Sequence, residues 1–195
     1  MKIVKKVFSI ILCIALLIAT GLALVQTRTQ NESGGYSGVT NITAGDHAWI
    51  RTQFGECIDI ECLMRCVEDF AVKNFRYDYD SAILLQHFDF QKLVTTNKGI
   101  CFDFACFFKN VCLVWAEDHD VQLKVYTVDV MTQFTAPRHS YSVIQMADGR
   151  NYYIDITDSI YCVQQEDAPP PGFELFYESI DNYAARYNET VINLH

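Results

Sequence analysis

Apolar side chains change their spacing several times along the 195-residue chain, and each change marks a different element. Residues 7–27, VFSIILCIALLIATGLALVQT, hold no charge and follow Lys2, Lys5 and Lys6. This is the pattern of an export signal cut near Gly21-Leu22-Ala23, or of an N-terminal membrane anchor whose positive end stays inside. Residues 26–48 carry Gly34, Gly35, Gly38 and Gly45 among many Ser, Thr and Asn, without sustained periodicity, and predict a flexible linker. From there Ile60, Leu63, Val67, Phe70, Ala71 and Phe75 recur every three or four positions, which predicts an amphipathic helix. Tyr77-Asp78-Tyr79-Asp80 predicts a turn, followed by a partly apolar stretch to Val94 and a polar turn over 95–99. The run 101–115 is apolar over much of its circumference and predicts a largely buried helix beginning near Gly99 to Cys101.

After Glu117-Asp118-His119-Asp120 the period becomes two, and residues 121–130, 140–146 and 150–157 predict three strands, the last two joined across Ala147-Asp148-Gly149. Pro169-Pro170-Pro171-Gly172 ends the strand region, after which Phe173, Phe176, Tyr177, Ile180, Tyr183 and Tyr187 predict a terminal helix over about 173–187. Helices, then an antiparallel sheet, then a helix make an α+β fold. The chain thus divides into residues 1–25 (signal peptide or anchor), 26–48 (linker) and one folded domain over 49–195.

Composition narrows the partners. Fifteen basic against 24 acidic side chains give a net charge of -9, which removes the attraction that nucleic-acid binding uses. Eight cysteines, one of them Cys13 in the leading segment, fit an extracytoplasmic location, secreted or anchored to the membrane through residues 7–27. The other seven are Cys57, Cys62, Cys66, Cys101, Cys106, Cys112 and Cys162, and an odd number leaves at least one thiol outside any internal disulfide. No phosphate loop, His-Glu-x-x-His or paired-cysteine zinc pattern occurs, so no cofactor and no metal is implied.

The chemistry-bearing residues are Cys101, His139 and Asp155. A cysteine in the first turn of a helix meets unpaired backbone N–H groups, which favour the thiolate and can also receive an oxyanion. His139 opens one strand and Asp155 lies near the end of the next, so hairpin register decides whether they meet. A two-residue Asp148-Gly149 loop puts them on opposite faces. A three-residue loop with Gly149 left-handed pairs 146 with 150, which makes them diagonal neighbours about 7–8 Å apart at the backbone. Cys101 would then attack an acyl carbon, His139 would take and return its proton, and Asp155 would hold the imidazole. The competing reading makes Cys101 half of a structural disulfide.

Asn97-Lys98-Gly99-Ile100-Cys101-Phe102-Asp103-Phe104-Ala105 resembles the nucleophile motif of the transglutaminase-like superfamily, a branch of papain-like cysteine chemistry. His139-Ser140-Tyr141-Ser142-Val143 is similar to its histidine strand, and Gly149-Arg150-Asn151-Tyr152-Tyr153-Ile154-Asp155-Ile156-Thr157 to its aspartate strand. The family usually has Trp where this chain has Tyr141, and Pro where it has Ile156. The resemblance covers roughly 60–158. It implies Cys101, His139 and Asp155 as a triad, a nucleophile helix packed on an antiparallel sheet, and a protein or peptide substrate. The implied reaction is amide hydrolysis, as in a thiol protease, with acyl transfer from glutamine or an inactive cell-surface binding domain of the same fold as alternatives. Lesser candidates are Asp158, as orienter under the shorter register; His47-Ala48-Trp49, a chance copy of the histidine motif; and the acidic turn Asp118-His119-Asp120.

Overall fold

The structure is a computed structural model, and it describes residues 42–80, 87–132, 138–164 and 172–195. Among the described residues no helix is long and apolar enough to cross a membrane. That runs against the expected membrane anchor, which, with the location expected from it, is not carried further; residues 7–27, on which it rested, lie outside the described residues.

Helix α1 (Ala44–Phe54) begins inside the stretch expected to be linker. A capping box starts it: Thr43 Oγ1 accepts from the Asp46 N–H at 3.3 Å, and the Asp46 carboxylate accepts from the Thr43 N–H at 2.6 Å. Helix α2 (Ile60–Asn74) follows the predicted periodicity and buries Leu63, Met64, Val67 and Ala71, with Asp59 as its N-cap. Strand β1 (Arg76–Tyr77), helix α3 (Phe90–Thr96) and strand β2 (Lys98–Gly99) lead into helix α4 (Cys101–Asp118). The turn between α3 and β2 needs a left-handed residue, and Asn97 supplies it at φ 58°.

Helix α4 is the core of the domain. Phe107, fully buried, has ring neighbours Trp49, Phe54, Phe70, Phe75 and Phe90 at centroid distances of 5.0 to 6.4 Å. These rings come from α1, α2 with its C-cap, and α3, so one phenylalanine ties three helices to α4. The other side of α4 lies on the sheet, where Ser142 Oγ donates to the Ala105 carbonyl at 3.2 Å and Cys106 Sγ meets Thr127 Oγ1 at 3.9 Å.

That sheet has the order β6-β5-β4-β3-β7, antiparallel throughout, with β3 (Leu123–Thr132), β4 (Arg138–Met146), β5 (Asn151–Ile154), β6 (Phe173–Phe176) and β7 (Glu189–Leu194). Alternation divides it into two faces. Val125, Ile144, Tyr152 and Ile154 join the core beneath α4, whereas Val128, Val130, Tyr141, Val143 and Tyr153 pack with Tyr183 and Ala184 of helix α6 (Ile180–Arg186).

Beyond α1, the sequence expectation fails at two further elements. The strand expected over 150–157 ends at Ile154, and helix α5 (Ile156–Gln164) follows. The terminal helix expected over 173–187 is instead an edge strand, a short helix capped by Ser179, and a further strand that pairs with β3. Apolar spacing alone did not reveal that Phe173 to Phe176 completes the sheet beside β5.

Candidate active site

Two short strands place the start of α4. β1 and β2 pair in parallel, Arg76 with Lys98 and Tyr77 with Gly99, through Arg76 N–H to Asn97 O at 2.9 Å and Asp78 N–H to Gly99 O at 2.8 Å. Cys101 is then the first residue of α4 and is buried. Asp103, one turn in, accepts the Ile100 N–H on Oδ2 at 2.9 Å and so fixes the approach to the helix. Burial holds the Asp103 carboxyl above its ordinary range despite that bond.

Gly99 owes its place to close packing. A Cβ there would stand 2.9 Å from Leu93 Cδ1, 3.0 Å from Asp103 Cβ and 3.1 Å from Phe104 Cε1. Gly99→Ala is expected to destabilise the domain by about 1–3 kcal/mol through overpacking. Urea unfolding checks this, and an unchanged midpoint would refute it.

The hairpin between β4 and β5 takes the longer of the two registers. Ser142 pairs with Ile154 and Ile144 with Tyr152; the Met146 N–H reaches Arg150 O at 2.8 Å, and Gly149 is left-handed at φ 90°. His139 Nε2 accordingly lies in hydrogen-bond contact with Asp155 Oδ2. The other oxygen of Asp155 accepts the N–H groups of Thr157 at 3.0 Å and Asp158 at 3.2 Å, so this carboxylate also caps α5.

Asp155 occupies Nε2 and leaves Nδ1 as the other ring nitrogen, and Cys101 stands near enough to the imidazole to act on its pKa. Burial alone would lower the His139 pKa. The charge and hydrogen bond of Asp155, followed by those of Cys101, outweigh it and hold the imidazole well above its ordinary value. Side-chain exposure of 26% for His139 and 27% for Asp155 leaves water access to the pair.

Three further groups surround this center. Tyr77 stands near Cys101; burial first, and then the neighbouring sulfur, push its pKa up to about 12. Burial and the Asp155 charge raise the Asp158 carboxyl, which lies within 4.8 Å of both His139 and Asp155. Glu189, on β7, is raised by burial and offset by the charge of His139. Sequence reasoning missed Tyr77 and Glu189. A two-residue parallel ladder has no periodicity to detect, and β7 was outside the predicted strands.

A second histidine–aspartate pair supports the sheet behind this site. His195 Nε2 lies 3.1 Å from Asp129 Oδ2, and Ser140 Oγ donates to Asp129 Oδ1 at 2.7 Å. The hydroxyl here bonds the carboxylate and not the imidazole, so the set anchors β4 at the residue after His139. His47 lies in α1 near Glu117, and Asp118 is held by the Arg51 guanidinium, which removes both from the chemistry. Burial pushes the Cys106 thiol up to about 12 and raises Cys112 well above its ordinary value, so neither is a nucleophile at neutral pH.

No family model and no curated protein matches this sequence. Among solved structures, a provisionally named cysteine protease from Cytophaga hutchinsonii is similar at 13% identity and TM-score 0.44, covering 76% of this chain and 48% of its own. A structure described as a TGase is similar at 13% identity and TM-score 0.39, covering 70% of this chain and 37% of its own. This chain therefore spans less than half the length of either. Both likenesses are weak.

Proposed function

We propose that the chain is a cysteine hydrolase of protein or peptide amide bonds, with Cys101 as nucleophile, His139 as base and then acid, and Asp155 as orienter. The observation that carries this reading is the His139–Asp155 pair beside a thiol at the first residue of a helix. Asp155 accepts the Nε2 proton, so neutral imidazole offers a bare Nδ1 to the thiol. The thiolate adds to the carbonyl carbon, and the developing oxyanion meets the positive end of α4. His139 gives its proton to the departing amine, an acyl-thioester remains, and water attacks it with His139 again as base. The partial exposure of the His139 and Asp155 side chains lets a water reach the imidazole that would activate it.

Alkylation with iodoacetamide at about pH 6.5, followed by peptide mapping, tests the coupling of the three residues. An imidazole that takes the thiol proton speeds alkylation of the sulfur. The rate at Cys101 is expected to fall most in His139→Ala and less in Asp155→Asn, where the imidazole remains. Equal rates in all three folded proteins would replace this reading with that of a non-catalytic binding domain.

A further inference from the structure

Away from Cys101, three other cysteines converge. Cys57 lies in the connection between α1 and α2, Cys62 in the first turn of α2, and Cys66 one turn later. Their three sulfur atoms all lie within 4.8 Å of one another, with burial graded from buried Cys57 through half-buried Cys62 to exposed Cys66. We propose that Cys57, Cys62 and Cys66 form a three-thiolate site for a soft d10 cation of the zinc(II) and cadmium(II) class, its fourth position open to solvent on the Cys66 side.

Geometry supports a metal over a disulfide. A cation bound at about 2.3 Å from each sulfur needs sulfurs about 4 Å apart, within the observed limit. Cys62 and Cys66, four apart on one helix, have Cβ atoms about 5–6 Å apart, whereas a disulfide needs about 3.5–4.5 Å. Only Cys57 can bridge to either of them, which strands the remaining sulfur and closes a short loop of small entropic benefit. A cation uses all three.

The donors are also held in place by groups outside the cluster. Trp115 Nε1–H, reaching across from α4, donates to the Cys57 carbonyl at 2.8 Å, and the Cys57 N–H bonds Phe54 O at 3.2 Å. Asp59 Oδ1 accepts the Cys62 N–H at 2.7 Å and fixes the start of α2. Such outer contacts preorganise ligands as they do in established metal sites. Glu56, Asp59 and Glu61 give the surrounding chain an acidic character that suits a cation.

A cysteine thiol ordinarily keeps its proton below about pH 8.5, and a metal takes up only the thiolate. Binding forms three S–metal bonds, breaks three S–H bonds and sends three protons to solvent. Apparent affinity must therefore rise with pH.

The test uses the full chain, reduced and free of oxygen, carrying Cys101→Ala so that the candidate nucleophile does not compete. Cadmium(II) titration is expected to saturate at one equivalent, with a sulfur-to-cadmium charge-transfer band and a raised melting temperature that zinc(II) reproduces. Cys66→Ser, at an exposed position, is expected to weaken binding by roughly 100-fold while leaving the metal-free fold intact. Cys57→Ser and Cys62→Ser should do the same, and Cys162→Ser should not. Absence of the band, its survival in Cys66→Ser, or a Cys57 disulfide in the non-reduced peptide map would each overturn the proposal.

Discussion

Cys101→Ala is expected to remove amide hydrolysis by about 10⁶-fold, because a nucleophile and its base act as one unit and the loss of either forfeits nearly the whole gain. A peptide-amide library, assayed for released amine, checks this, and retention of a tenth of the wild-type rate would reject Cys101 as nucleophile. Asp155→Asn should cost less, about 10⁴-fold, for a reason visible in its two oxygens. The amide oxygen of asparagine takes over the α5 amides of Thr157 and Asp158, which turns its NH₂ toward His139. A donor facing Nε2 drives the imidazole proton to Nδ1, where it confronts the thiol it should receive. The same substitution removes the largest influence that raises the His139 pKa. Activity in the wild type, which needs the imidazolium as acid, should persist above the ordinary histidine value of about 6.5 and fall as pH rises through the elevated one. In Asp155→Asn that alkaline limb should move to lower pH.

Phe107→Ala is expected to cost about 3–5 kcal/mol, the range for a fully buried aromatic whose neighbours cannot collapse into the space. Five rings from α1, α2, the end of α2 and α3 lose a common partner. A typical domain has only about 5–15 kcal/mol in total, so unfolding in urea should begin at much lower concentration. A loss below about 1 kcal/mol would show that the ring cluster does not carry the core.

The hydrophobic pattern made α2 and α4 legible because each has one unambiguous apolar face or is buried almost all round. The hairpin was legible only conditionally. Sequence allowed two registers, and the left-handed Gly149 selects the one that joins His139 to Asp155. Helix α5 was hidden by its composition: Ile156, Thr157, Ile160, Tyr161 and Val163 favour a strand, and the decisive signal is the Asp155 side chain accepting the amides of Thr157 and Asp158, two and three residues on. In the same way, Thr43 and Asp46 start α1 inside a polar stretch whose glycines suggested a linker. At the C-terminal end, the ladder from β5 to β6 overrides the spacing of Phe173 and Phe176, and Ser179 marks where helix resumes. Local side-chain-to-backbone bonds, which no hydropathy period records, account for most of what was missed.

Asp155 divides its oxygens between the imidazole and the first turn of α5, so the two cannot relax independently. If that turn frays, Oδ1 loses its amides, the carboxylate becomes free to rotate, and the imidazole loses its fixed tautomer. Hydrogen exchange at the amides of Thr157 and Asp158 is thus a clock for the lifetime of the oriented imidazole, readable in the resting protein without any substrate.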